Sequence, residues 1–88
     1  MEKWQVEFTK RADKQFGKLD RTTQQQIVQF LDKLIDVNDP TTFGKALVGE
    51  FSGLWRYRVG KYRLICKFEH QKLVIEIISI GKRDKVYR

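Results

Sequence analysis

Hydrophobic positions along this chain switch between two spacings, and each switch marks an element. Trp4, Val6 and Phe8 alternate with Gln5 and Glu7, the pattern of a strand with one buried face. Thr9 follows as a helix N-cap, with Ala12, Phe16 and Leu19 on one face of a short helix that Gly17 weakens near its end. Asp20 caps a second helix from about Arg21. Here Ile27, Phe30, Leu31, Leu34 and Ile35 recur at i, i+3, i+4, i+7 and i+8, and Asn38-Asp39-Pro40 stops the run. Two amphipathic helices in succession predict a helical hairpin laid on a sheet. Residues 41–50 read as a connection carrying Gly44 and Gly49. The period then returns to two. Residues 54–59 and 62–68 flank Gly60-Lys61, and a two-residue loop that begins with Gly suits a type II′ hairpin turn. A polar turn, Glu69-His70-Gln71-Lys72, leads into residues 73–80, the most apolar run and the expected central strand, buried on both faces. The order β-α-α-β-β-β predicts one α+β domain over residues 1–88. It has an N-terminal strand, a two-helix hairpin and a three-stranded antiparallel meander, with the helices on one face.

The tight turn also predicts a register. Val59 should face Tyr62, Arg58 face Arg63, Tyr57 face Leu64 and Arg56 face Ile65, with Phe68 opposite Leu73 in the next pair. Alternation then puts Trp55, Tyr57, Val59, Tyr62 and Leu64 on the core side with Cys66, Leu73, Ile75 and Ile77. Arg56, Arg58 and Arg63 share the other side, where Lys61, Lys82 and Arg83 are expected near the strand ends. Like charges directly opposite destabilise a sheet, so an Arg58–Arg63 pair implies a bound anion between them.

Charge strengthens that expectation. Eighteen Lys and Arg against eleven Asp and Glu leave a net +7 on 88 residues, which points to a polyanion, nucleic acid ahead of membrane. No apolar run reaches the length of a membrane span, and MEKWQVEF lacks the apolar core of a signal peptide. One cysteine cannot close an internal disulfide, so a reducing cytoplasm is the expected compartment. One Cys and one His are too few for a protein-built zinc site; no metal or other cofactor is expected. RNA brings its own nucleophile, the 2′-OH. Cleaving it takes a base for that hydroxyl, positive charge on the phosphorane-like transition state and an acid for the 5′-oxygen. Arginine supplies the charge but is a poor base. Lysines placed among arginines, Lys45, Lys61 or Lys82, are the candidates for that role.

Several stretches together resemble a known family. They are Lys45-Ala46-Leu47-Val48-Gly49, the hairpin Trp55-Arg56-Tyr57-Arg58 with Tyr62-Arg63-Leu64, and Ile78-Ser79-Ile80-Gly81-Lys82-Arg83 followed by Val86-Tyr87. In this order the chain is similar to RelE toxins, of the RelE/ParE superfamily of type II toxin–antitoxin modules, over nearly its whole length. The resemblance implies a RelE-like fold and a ribosome-dependent endoribonuclease (mRNA interferase). Such an enzyme cuts mRNA in the A site without metal and arrests translation. The implied partners are a cognate antitoxin, the ribosome with its rRNA and mRNA, and operator DNA bound through the toxin–antitoxin complex, with no membrane.

By position, the resemblance makes Arg63 the phosphate-stabilising arginine, Arg83 the helper of the leaving group and Tyr87 the residue that stacks on or orients the mRNA base. Arg56 and Arg58 stand where the best-known member has lysines, one of them the proposed base. Phosphate binding is expected of both, and the base stays open among Lys45, Lys61 and Tyr87. Lys45, Lys61, Lys82 and Lys85 are the expected RNA contacts. Many relatives continue past the position of Tyr87 into a helix; an exposed sheet edge or core groove is expected to receive an antitoxin segment.

Other conspicuous residues have plainer readings. His70 belongs to a polar turn away from the basic face, Cys66 is a small buried hydrophobe, and Trp4, Phe8 and Trp55 are core. Glu50 and Glu76 are structural partners. Lys10, Arg11, Lys14 and Lys18 make a basic helix surface, a docking face for rRNA or simply a solvated one. Two other functions compete with the nuclease. A ParE-like gyrase inhibitor shares the fold but usually lacks the full basic constellation and terminal tyrosine, and a non-catalytic nucleic-acid-binding module would accommodate arginines at the lysine positions.

Overall fold

The computed structural model of the chain describes residues 3–82; Arg83, Asp84, Lys85, Val86, Tyr87 and Arg88, to which some of the expectations above attach, lie outside them. Strand β1 (Gln5–Phe8) leads directly into α1 (Lys10–Gly17), which is followed by α2 (Arg21–Leu34). Thr9 does two jobs at the first junction. Its Oγ1 accepts from the Ala12 amide at 3.1 Å, capping α1, and donates to the Ile78 carbonyl at 2.9 Å. Asp20 caps α2 through Thr23, and the hydroxyl and amide of Thr23 hold its carboxyl below the usual range. Gln24 donates from Nε2 to the Phe16 carbonyl at 2.9 Å, closing the end of α1 and fixing the helices to each other.

Five strands follow the order β1-β5-β4-β3-β2, where β2 is Lys45–Ala46, β3 Trp55–Val59, β4 Tyr62–Glu69 and β5 Val74–Lys82. Three features differ from the sequence reading. First, β1 runs parallel to β5, so the sheet is mixed rather than antiparallel throughout. Second, the 41–50 connection contains β2, an edge strand pairing Lys45 with Arg56 and Ala46 with Trp55, between 3-10 turns at Pro40–Phe43 and Gly49–Phe51. Third, β4 is the central strand. In β5, Val74, Glu76 and Ile78 are only partly buried, so burial on both faces is confined to Ser79 and Ile80.

The β3–β4 hairpin has the expected register, from Val59 opposite Tyr62 to Arg56 opposite Ile65, around Gly60 at φ 59°. The next pair does not. Glu69 rather than Phe68 begins it, opposite Val74, and Leu73 lies in the turn at φ 54°. Two residues of slip leave the inward set intact, and Leu64, Cys66, Ile75 and Ile77 are all buried. Between Ile65 and Cys66 the ladder shifts again, because Ile78 is an extra residue on β5. Beyond it the alternation of β5 reverses: Ile80 joins the core beside Leu64, while Ser79 and Gly81 stand opposite Ile65 and Arg63. Helix α1 takes the backbone groups that β1 is too short to reach. Gln15 Oε1 accepts from the Ile80 amide at 2.7 Å, and the Thr9 hydroxyl donates to the Ile78 carbonyl.

The helices cover one side of this sheet. Ile27, Leu31 and Leu34 of α2 and Ala12 of α1 meet Tyr57, Leu64, Cys66, Ile75 and Ile77 in one core. Phe68 contacts Trp4 and Trp55 edge-on at centroid distances of 5.8 Å each, and His70 rests against Trp4 at 5.6 Å, an aromatic packing role for the turn histidine. Tyr57 donates its hydroxyl to the Pro40 carbonyl, and burial pushes its pKa up. Gly44 passes over that ring; a Cβ there would meet Tyr57 Cε1 at 3.1 Å.

Candidate nucleic-acid interface

The side of the sheet away from the helices is organised in cross-strand rows. One row runs Lys45–Arg56–Ile65–Ser79, and the next runs Arg58–Arg63–Gly81. Residues paired across strands point the same way, so Lys45, Arg56, Arg58 and Arg63 share one face on three adjacent strands. Arg58 and Lys45 are exposed, while Arg56 and Arg63 are half-buried against the apolar floor that Ile65 provides. Gly81 gives the row no side chain beside Arg63. The bulge at Ile78 is what brings a glycine to that position.

No carboxylate among the described residues lies within ion-pair distance of Lys45, Arg56 or Arg58. The Nε of Arg56 is shielded from solvent and has no hydrogen-bond partner among them. The carboxylates carried by the strands sit at the other end of the sheet. Glu7 pairs with Glu76 across β1 and β5, Lys67 stands opposite Glu76, and Lys67 Nζ is 3.6 Å from Glu69. The face is therefore graded, basic at β2–β3–β4 and acidic towards β1, and a polyanion is drawn to the hairpin end.

Of the other residues expected at the site, Lys61 is at the hairpin tip, exposed. Lys82 ends β5 opposite Tyr62, which packs against the core, so its backbone position belongs to the helix side rather than the arginine face. Arg83, Lys85 and Tyr87 lie outside the described residues. Cys66 is fully buried, and burial pushes its thiol up, so it offers no nucleophile. Among the described residues no group of His, Cys, Asp and Glu is placed to hold a metal ion, and no helix is long and apolar enough to cross a membrane.

Sequence reasoning missed the placement of Lys45, because a two-residue strand has no period to read. It also missed an exposed phenyl, Phe43, two residues before it. On the far side of the molecule an open groove of about 330 Å³ runs between the helices and β1. Val6, Phe8, Phe16 and Val28 line it with Asp13 and Asp32, beside the edge of β1 that pairs with no strand among the described residues.

Comparison with known proteins agrees with this architecture. Residues 6–87 match the family model of the ParE toxin of type II toxin–antitoxin systems. An Escherichia coli protein described as a RelE-like toxin is 29% identical over 83 residues, covering 94% of this chain and 86% of that protein. The structure is similar to the toxin–antitoxin complex RelBE2 from Mycobacterium tuberculosis, with TM-score 0.83 and 27% identity over 94% of each chain. It is also similar to the isolated E. coli RelE toxin, with TM-score 0.72 and 26% identity over 96% of this chain and 90% of that one.

Proposed function

This chain belongs to the ParE toxin family of type II toxin–antitoxin systems, within the RelE/ParE superfamily, and on that premise we propose that it is a ribosome-dependent mRNA endoribonuclease. The observation that carries the reading is the row of cations on the open sheet face, Arg58 directly opposite Arg63 with Lys45 and Arg56 alongside. Guanidinium groups bind phosphate bidentately, and a sheet that sets them opposite each other is relieved by an anion.

In this mechanism the RNA 2′-OH attacks the adjacent phosphorus and the 5′-oxygen leaves. Arg63 stabilises the charge developing on the phosphate oxygens, and Arg56 and Arg58 hold the backbone in register. Arg83 assists the leaving oxygen and Tyr87 orients the base. A guanidinium stays protonated, so the proton of the 2′-OH passes to another group. Lys45 is favoured over Lys61, because β2 holds it beside Arg56 on the same face while Lys61 is at the tip. A cognate antitoxin neutralises the toxin, its segment seated in the groove beside β1, and the joint complex binds operator DNA.

The test is primer extension on an mRNA with and without ribosomes programmed on it, after adding the purified protein. A cut within the A-site codon that requires ribosomes, and that is lost in Arg63→Ala, is the expected result. Cutting of naked RNA would make it a free ribonuclease. The family match itself favours a second reading, a gyrase inhibitor of the ParE kind. Inhibited gyrase supercoiling with intact mRNA would replace the nuclease reading by that one.

A further inference from the structure

We infer that Phe43 forms a stacking subsite for an unpaired nucleobase of single-stranded RNA, next to a phosphate held by Lys45 and Arg56. The inference rests on the nucleic-acid reading above and adds to it a specific base contact.

Phe43 ends the Pro40–Phe43 turn and is 61% exposed, unusual for a phenyl in a chain this small whose other ring-bearing core residues are packed. The next residue, Gly44, is extended at φ −105° and ψ 177°, with its open side against the Tyr57 ring. Tyr57 itself is anchored by the hydrogen bond to the Pro40 carbonyl, so the turn is tied down at both ends and Phe43 stays at the surface. Lys45, two residues on, pairs with Arg56, so the chain carries Phe43 to the start of β2, where the Lys45–Arg56 row begins.

An aromatic ring flanked by cations is the composition of single-strand binding surfaces, where the cations follow the backbone and the ring takes the base. The charge chooses between occupants. A purely apolar partner would leave Lys45 and Arg56 buried without counter-charge, which is costly, whereas a nucleotide satisfies ring and cations together. Along the sheet, the strand carboxylates Glu7 and Glu76 are on the strands farthest from β2, and Asp39, at the start of the turn, is engaged with Thr41. A strand of RNA bound by Arg58 and Arg63 can continue along the Lys45–Arg56 row and leave its flanking base on Phe43.

Binding of the full chain to a short 2′-O-methyl oligoribonucleotide tests this, since that oligomer cannot be cleaved by 2′-OH attack and binding is read without turnover. A fully abasic phosphodiester of the same length serves as the comparison. Phe43→Ala and Phe43→Leu should weaken the oligoribonucleotide by roughly 5- to 100-fold and leave the abasic backbone unchanged. Phe43→Trp should bind as the parent does, and Arg56→Gln should weaken both probes. Parent-like affinity of Phe43→Ala, or equal losses on the two probes, would overturn the stacking site while leaving the nucleic-acid reading in place. If Phe43→Leu keeps affinity, the contact is apolar rather than stacking, and the inference fails. Should Phe43→Ala instead keep the oligomer and lose only its antitoxin, the surface is a protein contact. If the parent binds neither probe, the stacking subsite fails, while the ribosome-dependent reading is decided by primer extension.

Discussion

On β3, Tyr57 is 1% exposed and its neighbour Arg58 stands in solvent; across the turn, Arg63 is half-buried and Leu64 is completely enclosed. The two faces of the sheet are thus made by alternate residues of the same strands. The helix side is redundantly apolar, with side chains from six of the seven regular elements among the described residues interlocked over one core. The open side sets like charges opposite each other and places a glycine where a larger residue would add packing. Stability is concentrated in one parity of residues and ligand affinity in the other. Substitutions should therefore sort by parity rather than by position along the chain.

The sharpest break of that comparison is a pair of neighbours. Leu64→Ala should cost about 2–5 kcal/mol, since the residue is fully enclosed and its surroundings relax only in part. That is a large share of what holds so small a domain together. Arg63→Ala should lower the denaturation midpoint much less than Leu64→Ala does. Both should lose growth arrest in cells, the first through loss of folded protein and the second with a full melting transition retained. If Arg63→Ala melted as early as Leu64→Ala, the division of labour between the faces would be wrong.

The next effect tests how the helices hold the bulge that shapes the site. Gln15→Ala leaves the Ile80 amide without its acceptor at 2.7 Å and should cost about 1–3 kcal/mol. Gln15→Glu keeps an acceptor and should recover most of it. Hydrogen exchange at the Ile80 amide, faster in the alanine variant alone, would locate the loss at the bulge rather than in α1.

A smaller effect, about 1 kcal/mol at neutral pH, is expected from Tyr57→Phe, which removes the hydrogen bond to Pro40. The same variant alters the alkaline limb of the stability curve. Burial raises the Tyr57 hydroxyl above its ordinary 10.0, so the folded protein keeps a proton that the unfolded chain releases. Stability is full below pH 10 and falls as pH rises beyond it. Cys66, raised from 9.0 by burial, starts a similar decline about one unit lower. Thermal melts from pH 8 to 11 should show Tyr57→Phe losing less stability above pH 10 than the parent, and the same amount between 9 and 10.

How much of this could be read from the chain depended on how local each determinant is. Thr9 and Asp20 cap their helices because a hydroxyl or carboxylate at the right step suffices, and Gly60-Lys61 set the hairpin register because two residues decide it. The arginine face followed from that register alone. The parallel β1–β5 pairing, the extra residue at Ile78 and the edge strand at Lys45–Ala46 were not legible. Each depends on which distant segment supplies a partner: α1 accepts the bulge, and β3 gives β2 its ladder. Those non-local features complete the candidate site, bringing Gly81 beside Arg63 and Lys45 beside Arg56, while turning Lys82 towards the helices.

The smallest expected effect is also the one with opposite signs on the two properties. Arg58 faces Arg63 across a strand pair, and no described carboxylate lies within ion-pair distance of Arg58. Arg58→Gln removes the repulsion and should raise stability by about 0.2–1 kcal/mol, read as a higher melting temperature at low salt that converges with the parent at high salt. The same change should weaken oligonucleotide binding and reduce its salt slope by about one phosphate contact. A core residue cannot behave this way, because losing packing never stabilises the fold it packs. A gain in melting temperature coupled to a loss in affinity would mark Arg58 as a residue kept against the interest of the fold, and would tie the strain in the sheet to the anion it is built to bind.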